Sequence, residues 1–488
     1  MSMDRKRFLT LSATFAAGAV CKASVGTALS KMSVPEKRNV VILFIDDLGY
    51  GDIGPFGCKD IPTPHLDRLA NEGTKCTTSY ITNPPCSPSR SSLMMGCYGQ
   101  RFGKYGMARG LPIPEDRQTL ARFMKDAGYV TGHIGKWDLG SKAQGPLNAG
   151  FDETRKDAPR RIYTDAELAE LKKRVGDSPM LKKYLKKKQS TDFIINQENK
   201  VQWETDYDGS MMVDFVTRHK DQPFLLYFAP HAVHSPSIEA PPELTDRTRV
   251  SSGPRKFLAG AVVSVDDQVG RLLQVLEKHG LREKTLIIFS SDNGANEDDG
   301  GSSTPYSGGK GEGTQKEGWV RVPAIYSLPG VIPGGKTYAG ITCSLDFYAT
   351  AAALTGVPAP KHLDGVDMIP YLQGQRTGDA HEFLFWLNND PTDEKRRHLV
   401  AVRWKDWRLY RYKETDTWQL FDLAKDPQEM HDVAAEHRDI VKLMETEFMK
   451  WKATLPPWKP IPESVRTGEP VIPEGYGWAT ASRSTAGK

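Results

Sequence analysis

Four short, mostly apolar runs form the most regular pattern along the chain. They are residues 39–45 (NVVILFI), 129–134 (YVTGHI), 224–228 (FLLYF) and 285–290 (TLIIFS). Runs that are rich in β-branched and aromatic residues, and that end at polar residues or glycine, are typical of strands buried on both faces of a parallel sheet. We therefore expect these segments to be strands.

Helical periodicity separates the strands. Thr63 and Pro64 are typical of a helix N-cap and first turn, and the apolar residues after them fall on one face up to Gly73. Residues 119–127 and 257–279 show the same periodicity. Strands that alternate with helices predict βαβ units, so we expect an α/β fold with a large, mixed, mostly parallel sheet flanked by helices.

The pattern changes after about residue 375. Residues 398–411 (HLVAVRWKDWRLYR) alternate as antiparallel strands do, and residues 418–423 (WQLFDL) predict a further strand. A helix is expected over residues 436–451, and an extended, proline-rich tail beyond Pro456. This part of the chain predicts a smaller α+β subdomain.

The first thirty residues have the composition of an export signal. Residues 4–7 (DRKR) are basic, residues 8–20 form an uncharged apolar stretch too short to span a bilayer, and residues 28–30 (ALS) are small. Residues 5–9 resemble a twin-arginine signal with Lys as the second basic residue, which leaves the export route open. A buried N-terminal helix is the alternative. We expect a signal peptide over residues 1–30, no transmembrane anchor, and a periplasmic or secreted protein.

Charge narrows the choice of partners. The chain has 65 Lys and Arg residues against 61 Asp and Glu residues, and without the signal peptide the balance is 61 against 60. Such a balance gives no global reason to expect nucleic-acid binding. Residues 155–188 are the exception, with twelve Lys or Arg against five Asp or Glu. This basic insertion is either a solvated surface segment or a rim that attracts a polyanionic substrate.

Residues 86–90 (CSPSR) contain the most specific chemistry. Pro88 favours the first turn of a helix, which places Cys86 at a helix N-terminus where N–H groups favour negative charge. Arg90, one turn later, can face the same point. Taken alone, Cys86 could equally be a structural thiol or half of a disulfide. The sequence does not pair the other cysteines.

This pentapeptide resembles the modification motif of type I sulfatases, in which the cysteine is oxidised to formylglycine. Further motifs follow in the family's order, at residues 46–52 (DDLGYGD), 63–70 (TPHLDRLA), 291–294 (SDNG), 320–323 (VRVP) and 420–423 (LFDL). Several ordered motifs on compatible elements are far more specific than one pentapeptide. The resemblance implies a sulfuric ester hydrolase with the sulfatase and alkaline phosphatase fold. It also implies a catalytic domain over residues 38–375 and a C-terminal subdomain with tail over residues 376–488.

Two pairs of oxygen-bearing side chains come directly after predicted strands. They are Asp46 with Asp47, and Asp292 with Asn293. Each pair alone could be a helix cap or a turn. Because parallel strands end at one edge of a sheet, the two pairs together favour a shared hard cation, which prefers oxygen ligands. The resemblance implies Ca²⁺, with Mg²⁺ as the alternative, and modified Cys86 as a further ligand.

The resemblance also implies roles in covalent catalysis, in which the hydrated aldehyde at residue 86 attacks sulfur. Arg90 would hold the attacking hydroxyl, and Asp292 would take its proton. Lys136 and Lys310 would neutralise the sulfate. His234 would protonate the leaving oxygen, although a histidine here could also be an ordinary capping residue.

Two positions depart from the family pattern. The family usually has His two residues after its active-site Lys, where this chain has Asp138 after Lys136. A carboxylate can also accept a proton, but its charge disfavours sulfate binding unless a Lys pairs with it. Lys310 lies seven residues before Glu317, slightly farther than in the family, so Lys316 is the alternative candidate.

These observations predict an exported sulfatase that acts on a sulfated carbohydrate and requires a formylglycine-generating maturation enzyme. The carbohydrate is favoured because export suits a large external substrate and the basic insertion could hold an anionic chain. A small aryl sulfate is the other substrate considered. The alternatives in function are a phosphate or phosphonate ester hydrolase on the same fold, and an inactive glycan-binding relative in which Asp138 has disabled the site.

Overall fold

A nine-stranded mixed sheet organises the fold. The structure is a computed structural model, and it describes residues 37–106, 111–140, 144–175, 186–234, 239–310, 316–388, 399–459 and 472–481. The expected signal peptide lies outside these residues. The strands are β1 (Asn39–Ile45), β2 (Thr74–Cys76), β3 (Ser79–Tyr80), β4 (Val130–Gly135), β5 (Glu153–Arg155), β6 (Arg160–Ile162), β7 (Gln189–Ile195), β8 (Val201–Trp203), β9 (Phe224–Ala229), β10 (Thr285–Ser291), β11 (Ala324–Ser327), β12 (Lys336–Tyr338), β13 (Thr342–Cys343), β14 (Phe383–Asn388), β15 (Leu399–Trp404), β16 (Trp407–Arg411), β17 (Gln419–Asp422) and β18 (Trp478–Thr480).

Helices cover both faces of the sheet. They are α1 (Pro64–Asn71), α2 (Cys86–Met95), α3 (Leu120–Asp126), α4 (Asp165–Val175), α5 (Glu204–Arg218), α6 (Pro242–Thr245), α7 (Pro254–Lys278), α8 (Glu317–Val320), α9 (Asp346–Ala353), α10 (Ile369–Leu372) and α11 (Arg438–Ala453). Short 3₁₀ turns lie between them. In the described part of the chain, none of these helices combines the length and the apolar character needed to cross a bilayer.

The large sheet has the order β12-β2-β11-β10-β1-β9-β4-β5-β18. Five of its eight neighbouring pairs are parallel, and the three antiparallel pairs involve β11 and β18. The four strands predicted from the sequence are β10, β1, β9 and β4, four adjacent strands at the centre of the sheet. The predicted α/β fold with a mostly parallel sheet is therefore confirmed.

Strand β1 shows why the apolar runs are unbroken. Its alternate residues Val40, Ile42 and Phe44 belong to the core on one face of the sheet, with α2, α3 and α9. The intervening residues pack with α1, α5 and α7 in the core on the other face. Since side chains alternate along a strand, a strand covered on both sides needs apolar residues at every position.

A second, smaller sheet follows in the C-terminal part. Strands β14, β15, β16 and β17 form an antiparallel meander, and α11 packs on it through Met444, Phe448 and Trp451. The predicted hairpin over 398–411 forms from Leu399 onward, with a tight turn at Lys405, whose φ is 48°. His398 lies outside the described residues. The smaller antiparallel subdomain expected from the sequence is thus present.

The cap of α1 differs from the prediction. The helix begins at Pro64 and Thr63 occupies the N-cap position, but its hydroxyl accepts a hydrogen bond from the Gly54 N–H at 2.8 Å instead of capping the helix. Asp266 of α7 accepts from the N–H groups of His65 and Leu66 at 3.2 and 2.8 Å. The free N–H groups of α1 are thus satisfied by a residue about two hundred positions away, which local sequence cannot reveal.

Part of the positive charge of the basic insertion, residues 155–188, is paired with acidic side chains of the fold. Strand β6 of the insertion pairs with β7, which follows the insertion and pairs in turn with β8, and α4 follows β6. Arg155 is 2% exposed and pairs with Asp208 and Glu204, while Arg160 also pairs with Glu204. Arg161 pairs with Glu167 at 2.7 Å. These three arginines are engaged in ion pairs within the fold, so the rim interpretation rests on the other basic residues of the segment.

Candidate active site

The site begins at the carboxyl ends of two neighbouring strands. Strand β1 pairs with β10 in parallel, with Ile45 opposite Ser291, so the residues that follow the two strands meet. Asp47 takes a left-handed conformation with φ 60°, and its N–H donates to Asp292 Oδ1 at 3.2 Å. The Asn293 amide donates to Asp47 Oδ1 at 2.8 Å. The two predicted pairs are therefore one buried cluster.

Ser291 connects the two strand ends. Its hydroxyl accepts a hydrogen bond from the Leu48 N–H at 3.1 Å and donates to the Asn293 carbonyl at 2.7 Å. The Ile45 carbonyl lies 3.1 Å from the same oxygen. One side chain thus fixes the turn after β1 relative to the turn after β10.

Cys86 is the first residue of α2, as predicted, and it points into this cluster. Its N–H donates to Asn293 Oδ1 at 3.0 Å, and its Sγ lies 3.6 Å from that oxygen and 4.0 Å from Asp47 Oδ1. Lys310 Nζ lies 3.2 Å from Sγ and 2.7 Å from both oxygens of Asp47. Lys316, the alternative lysine, instead donates to the Gln428 carbonyl at 3.1 Å.

Arg90 and Lys136 supply positive charge on the other side of the cluster. Arg90 Nε donates to Asp292 Oδ2 at 2.9 Å, and a terminal nitrogen of the guanidinium lies 2.7 Å from the same oxygen and 3.6 Å from Asp46 Oδ1. Lys136 Nζ donates to Asp46 Oδ2 at 2.7 Å. Asp138 lies 3.9 Å from Lys136 Nζ, so a lysine does accompany the carboxylate that replaces the family's histidine.

The histidines lie at the edge of the cluster. His234 Nε2 is 3.7 Å from Asp47 Oδ2, and its side chain is 23% exposed, the largest value among the predicted site residues. The ring of His231 lies beside it, tilted by 48°, with ring centroids 5.2 Å apart. The structure therefore brings together all of the predicted site residues, and their individual roles stay predictions.

The buried charges shift one another's pKa values. Burial alone would raise the pKa of Asp46, but Lys136, His234 and Arg90 hold it well below its usual range. Burial raises the pKa of Asp292 to about 7, and the Asp46 carboxylate adds to the rise. Burial also raises the pKa of the Cys86 thiol to about 12, against the opposite effect of the two lysines. An unmodified Cys86 is therefore a protonated thiol at neutral pH and a weak nucleophile.

The donor set suits a hard cation. Ligand atoms of Asp46, Asp47, Cys86 and His234 all lie within 4.8 Å of one another. The buried Asp46 Oδ1 has no hydrogen-bond partner among the described residues, which is costly for a carboxylate oxygen unless a cation satisfies it. Together with Asp292 and Asn293, these carboxylates offer the oxygen-rich set that Ca²⁺ and Mg²⁺ prefer.

Two supporting residues were not predicted from the sequence. Tyr227 of β9 accepts a hydrogen bond from Arg90 at 3.3 Å and thereby helps to fix the guanidinium. Lys104 is 2% exposed and donates to Ser87 Oγ in the first turn of α2 at 2.9 Å. Tyr227 occurs within an apolar strand and Lys104 within a loop, so neither carried a pattern that distinguished it from its neighbours.

Known proteins match most of the chain. A family model described as Sulfatase matches residues 38–357, and one described as N-sulphoglucosamine sulphohydrolase, C-terminal, matches residues 315–454. The N-acetylgalactosamine-6-sulfatase of Canis lupus familiaris is 30% identical over an aligned length of 433 residues, and the alignment covers 80% of this chain and 75% of the relative. The steryl-sulfatase of Mus musculus is 28% identical over an aligned length of 536 residues, and the alignment covers 87% of this chain and 83% of the relative. The crystal structure of Ps i-CgsB in complex with k-i-k-neocarrahexaose is 30% identical with a TM-score of 0.71, covering 85% of this chain and 93% of that one.

Replacing Ser291 tests the link between the two strand ends. Ser291→Ala leaves the buried Leu48 N–H without its acceptor, so we expect the free energy of unfolding to fall by about 1–3 kcal/mol in urea denaturation. The matched control is Ser290→Ala, since the buried Ser290 hydroxyl has no hydrogen-bond partner in the part of the chain that the structure describes. Because Ser290→Ala removes an unsatisfied buried hydroxyl, we expect it to cause no loss of stability. Equal losses in the two variants would contradict the link.

Proposed function

Because the chain belongs to the sulfatase family of the alkaline phosphatase superfamily, and is thus a sulfuric ester hydrolase, we propose that it desulfates a sulfated carbohydrate after residue 86 is oxidised to formylglycine. One observation carries the proposal. In a single buried pocket, Cys86 Sγ lies 3.2 Å from Lys310 Nζ and within 4.0 Å of oxygens of Asn293 and Asp47. A nucleophile made from this side chain is surrounded by the charges that a sulfate ester requires.

The proposed cation is Ca²⁺, with Mg²⁺ as the alternative. Asp46, Asp47, Asp292 and Asn293 would hold it, with modified residue 86 as a further ligand. When bound, such a cation supplies Lewis-acid polarisation of a sulfate oxygen.

The chain's own cations would bind and orient the sulfate group. Oxidised and hydrated, residue 86 supplies a hydroxyl that attacks sulfur. Lys310 contacts Asp47 and Lys136 contacts Asp46, and in a buried site their preorganised charge stabilises the developing negative charge more strongly than in water. Arg90 is completely buried between Asp292 and Asp46. We therefore assign Arg90 to orienting the attacking group.

Three side chains are positioned to move protons. Asp292 is assigned to accept the proton of the attacking hydroxyl. His234, the most exposed of the site residues, can be reached by the alcohol part of a substrate, and we assign it to protonating the leaving oxygen. Asp138, beside Lys136, is assigned to accept a proton during release of sulfate, in place of the family's histidine.

The substrate class is proposed from the relatives. One relative is an N-acetylgalactosamine-6-sulfatase, one family model is that of an N-sulphoglucosamine sulphohydrolase, and one solved structure binds k-i-k-neocarrahexaose. A steryl-sulfatase also matches, so a small sulfate ester is the competing substrate. We further propose that residues 1–30 direct export to the periplasm or beyond, and that a formylglycine-generating enzyme matures residue 86.

A panel of esters tests the substrate class. Protein whose residue 86 is oxidised, as determined by mass spectrometry, is assayed on defined sulfated saccharides, 4-nitrophenyl sulfate and 4-nitrophenyl phosphate. We expect sulfate release from at least one saccharide with a kcat/KM above that for either aryl ester. Faster hydrolysis of the phosphate would favour the phosphate or phosphonate hydrolase, and a lack of sulfate release from every saccharide would refute the carbohydrate proposal.

Thermal unfolding tests the cation. Three buried carboxylates repel one another, so Ca²⁺ should stabilise EDTA-treated protein by about 2.7 kcal/mol when its free concentration is one hundred times Kd. Asp47→Ala should abolish the response, whereas Asp298→Ala, which alters an exposed acid outside the cluster, should keep it. If neither Ca²⁺ nor Mg²⁺ changes the melting temperature of the unaltered protein, the cation assignment is wrong.

Asp138 provides a further kinetic test. Asp138→Ala removes the proposed proton acceptor. We therefore expect this variant to have a kcat lower by about 10²-fold and a KM that changes little. Asp138 has φ 57°, a conformation that Asn tolerates better than Ala. Asp138→Asn should therefore lose the same turnover without the backbone cost, and an unchanged kcat in both variants would remove Asp138 from the mechanism.

A further inference from the structure

A cavity of about 410 Å³ lies between the loop that follows α2, the end of β14 and the segment after α11. Its wall is formed by Tyr105, by Leu387 at the end of β14, and by Pro456 and Trp458, which follow α11. Glu414 and Lys452 form an ion pair in the same wall. The volume falls within the usual range for small-molecule sites in proteins.

Two hydrogen-bonded connections place this cavity next to the segment that contains Cys86. Asn388, the residue after Leu387, donates to the Pro84 carbonyl at 3.1 Å. Lys104, the residue before Tyr105, donates to Ser87 Oγ at 2.9 Å. The Cα atoms of adjacent residues are about 3.8 Å apart, so the cavity wall begins one residue away from Asn388 and Lys104. The side chains of these two residues contact the chain just before and just after Cys86.

The lining matches the two faces of a sugar ring. A pyranose has an apolar face of C–H groups and a rim of hydroxyls. Trp458 is 40% exposed and offers a large aromatic face on which the apolar face of the sugar can pack. Glu414 offers a hydrogen-bond acceptor and Lys452 a donor for the sugar hydroxyls. Because these two side chains form an ion pair, their charges cancel. A wall of this kind gives no advantage to a sulfate or carboxylate on the bound unit.

We propose that this cavity is a second saccharide subsite that binds an uncharged sugar unit of the substrate, beside the unit whose sulfate reaches residue 86. This inference rests on the proposed function and extends it, since it makes the enzyme selective for an oligosaccharide in which sulfated and unsulfated units are neighbours. Trp458 is the residue that determines this selectivity.

The test compares a long and a short substrate in the mature, full-length enzyme. Trp458→Ala should lower kcat/KM about tenfold, through KM, for k-i-k-neocarrahexaose or another sulfated hexasaccharide with uncharged units beside the sulfated ones, whichever the enzyme desulfates. It should leave 4-nitrophenyl sulfate unchanged. Chemically desulfated hexasaccharide should inhibit the unaltered enzyme competitively and should no longer inhibit the variant. Trp458→Phe, which keeps an aromatic face, should restore most of the loss.

The control is Met449→Ala, which removes an apolar side chain that is 51% exposed on α11 and is not part of the cavity wall. It should behave as the unaltered enzyme. If the hexasaccharide is hydrolysed but Trp458→Ala changes neither its KM nor the inhibition, the subsite is wrong and the proposed function stands. If 4-nitrophenyl sulfate is hydrolysed and no saccharide is, the carbohydrate proposal and the subsite are both overturned.

Discussion

The parallel pairing of β1 with β10 is the constraint on which the site depends. Its register sets Ile45 opposite Ser291, so the two polar turns that follow the strands start at the same level of the sheet. A shift by one residue would exchange the faces of every side chain in the strand and separate the clustered carboxylates. Because both strands are completely buried, such a shift would also move each core side chain into a space shaped for a different residue, which is costly in a close-packed interior, and the core therefore holds the site in place.

Charge balance is the second constraint. Three buried carboxylates lie together, those of Asp46, Asp47 and Asp292, and three cationic side chains of α2 and the loops oppose them. Burying a charge is costly unless it is paired and hydrogen-bonded, so each member is needed by the others. The same arrangement keeps the Cys86 thiol protonated, since burial raises its pKa to about 12. A pocket built in this way gives an unmodified cysteine little reactivity, which agrees with a nucleophile made by oxidation of that residue.

Local pattern predicted the central strands, the start of α2 and the clustering of Asp46 with Asp292, because each depends on residues close in sequence or on the rule that parallel strands end at one edge. Apart from that clustering, it did not predict which individual side chains join distant segments. Asp266 caps α1 across the core, and arginines of the basic insertion such as Arg155 form buried ion pairs. Lys310 was the predicted lysine and Lys316 the alternative, and the structure places Lys310 beside Cys86 and Lys316 against the Gln428 carbonyl.

The central claim is that residue 86, once oxidised, attacks sulfur in this pocket. The most direct measurement follows the initial rate of sulfate release per enzyme molecule across preparations co-expressed with graded amounts of the maturation enzyme. Mass spectrometry gives the fraction of residue 86 that has been oxidised in each preparation. The account predicts a rate proportional to that fraction and no release from protein that retains Cys86. Release at full rate from protein with an intact thiol would contradict it.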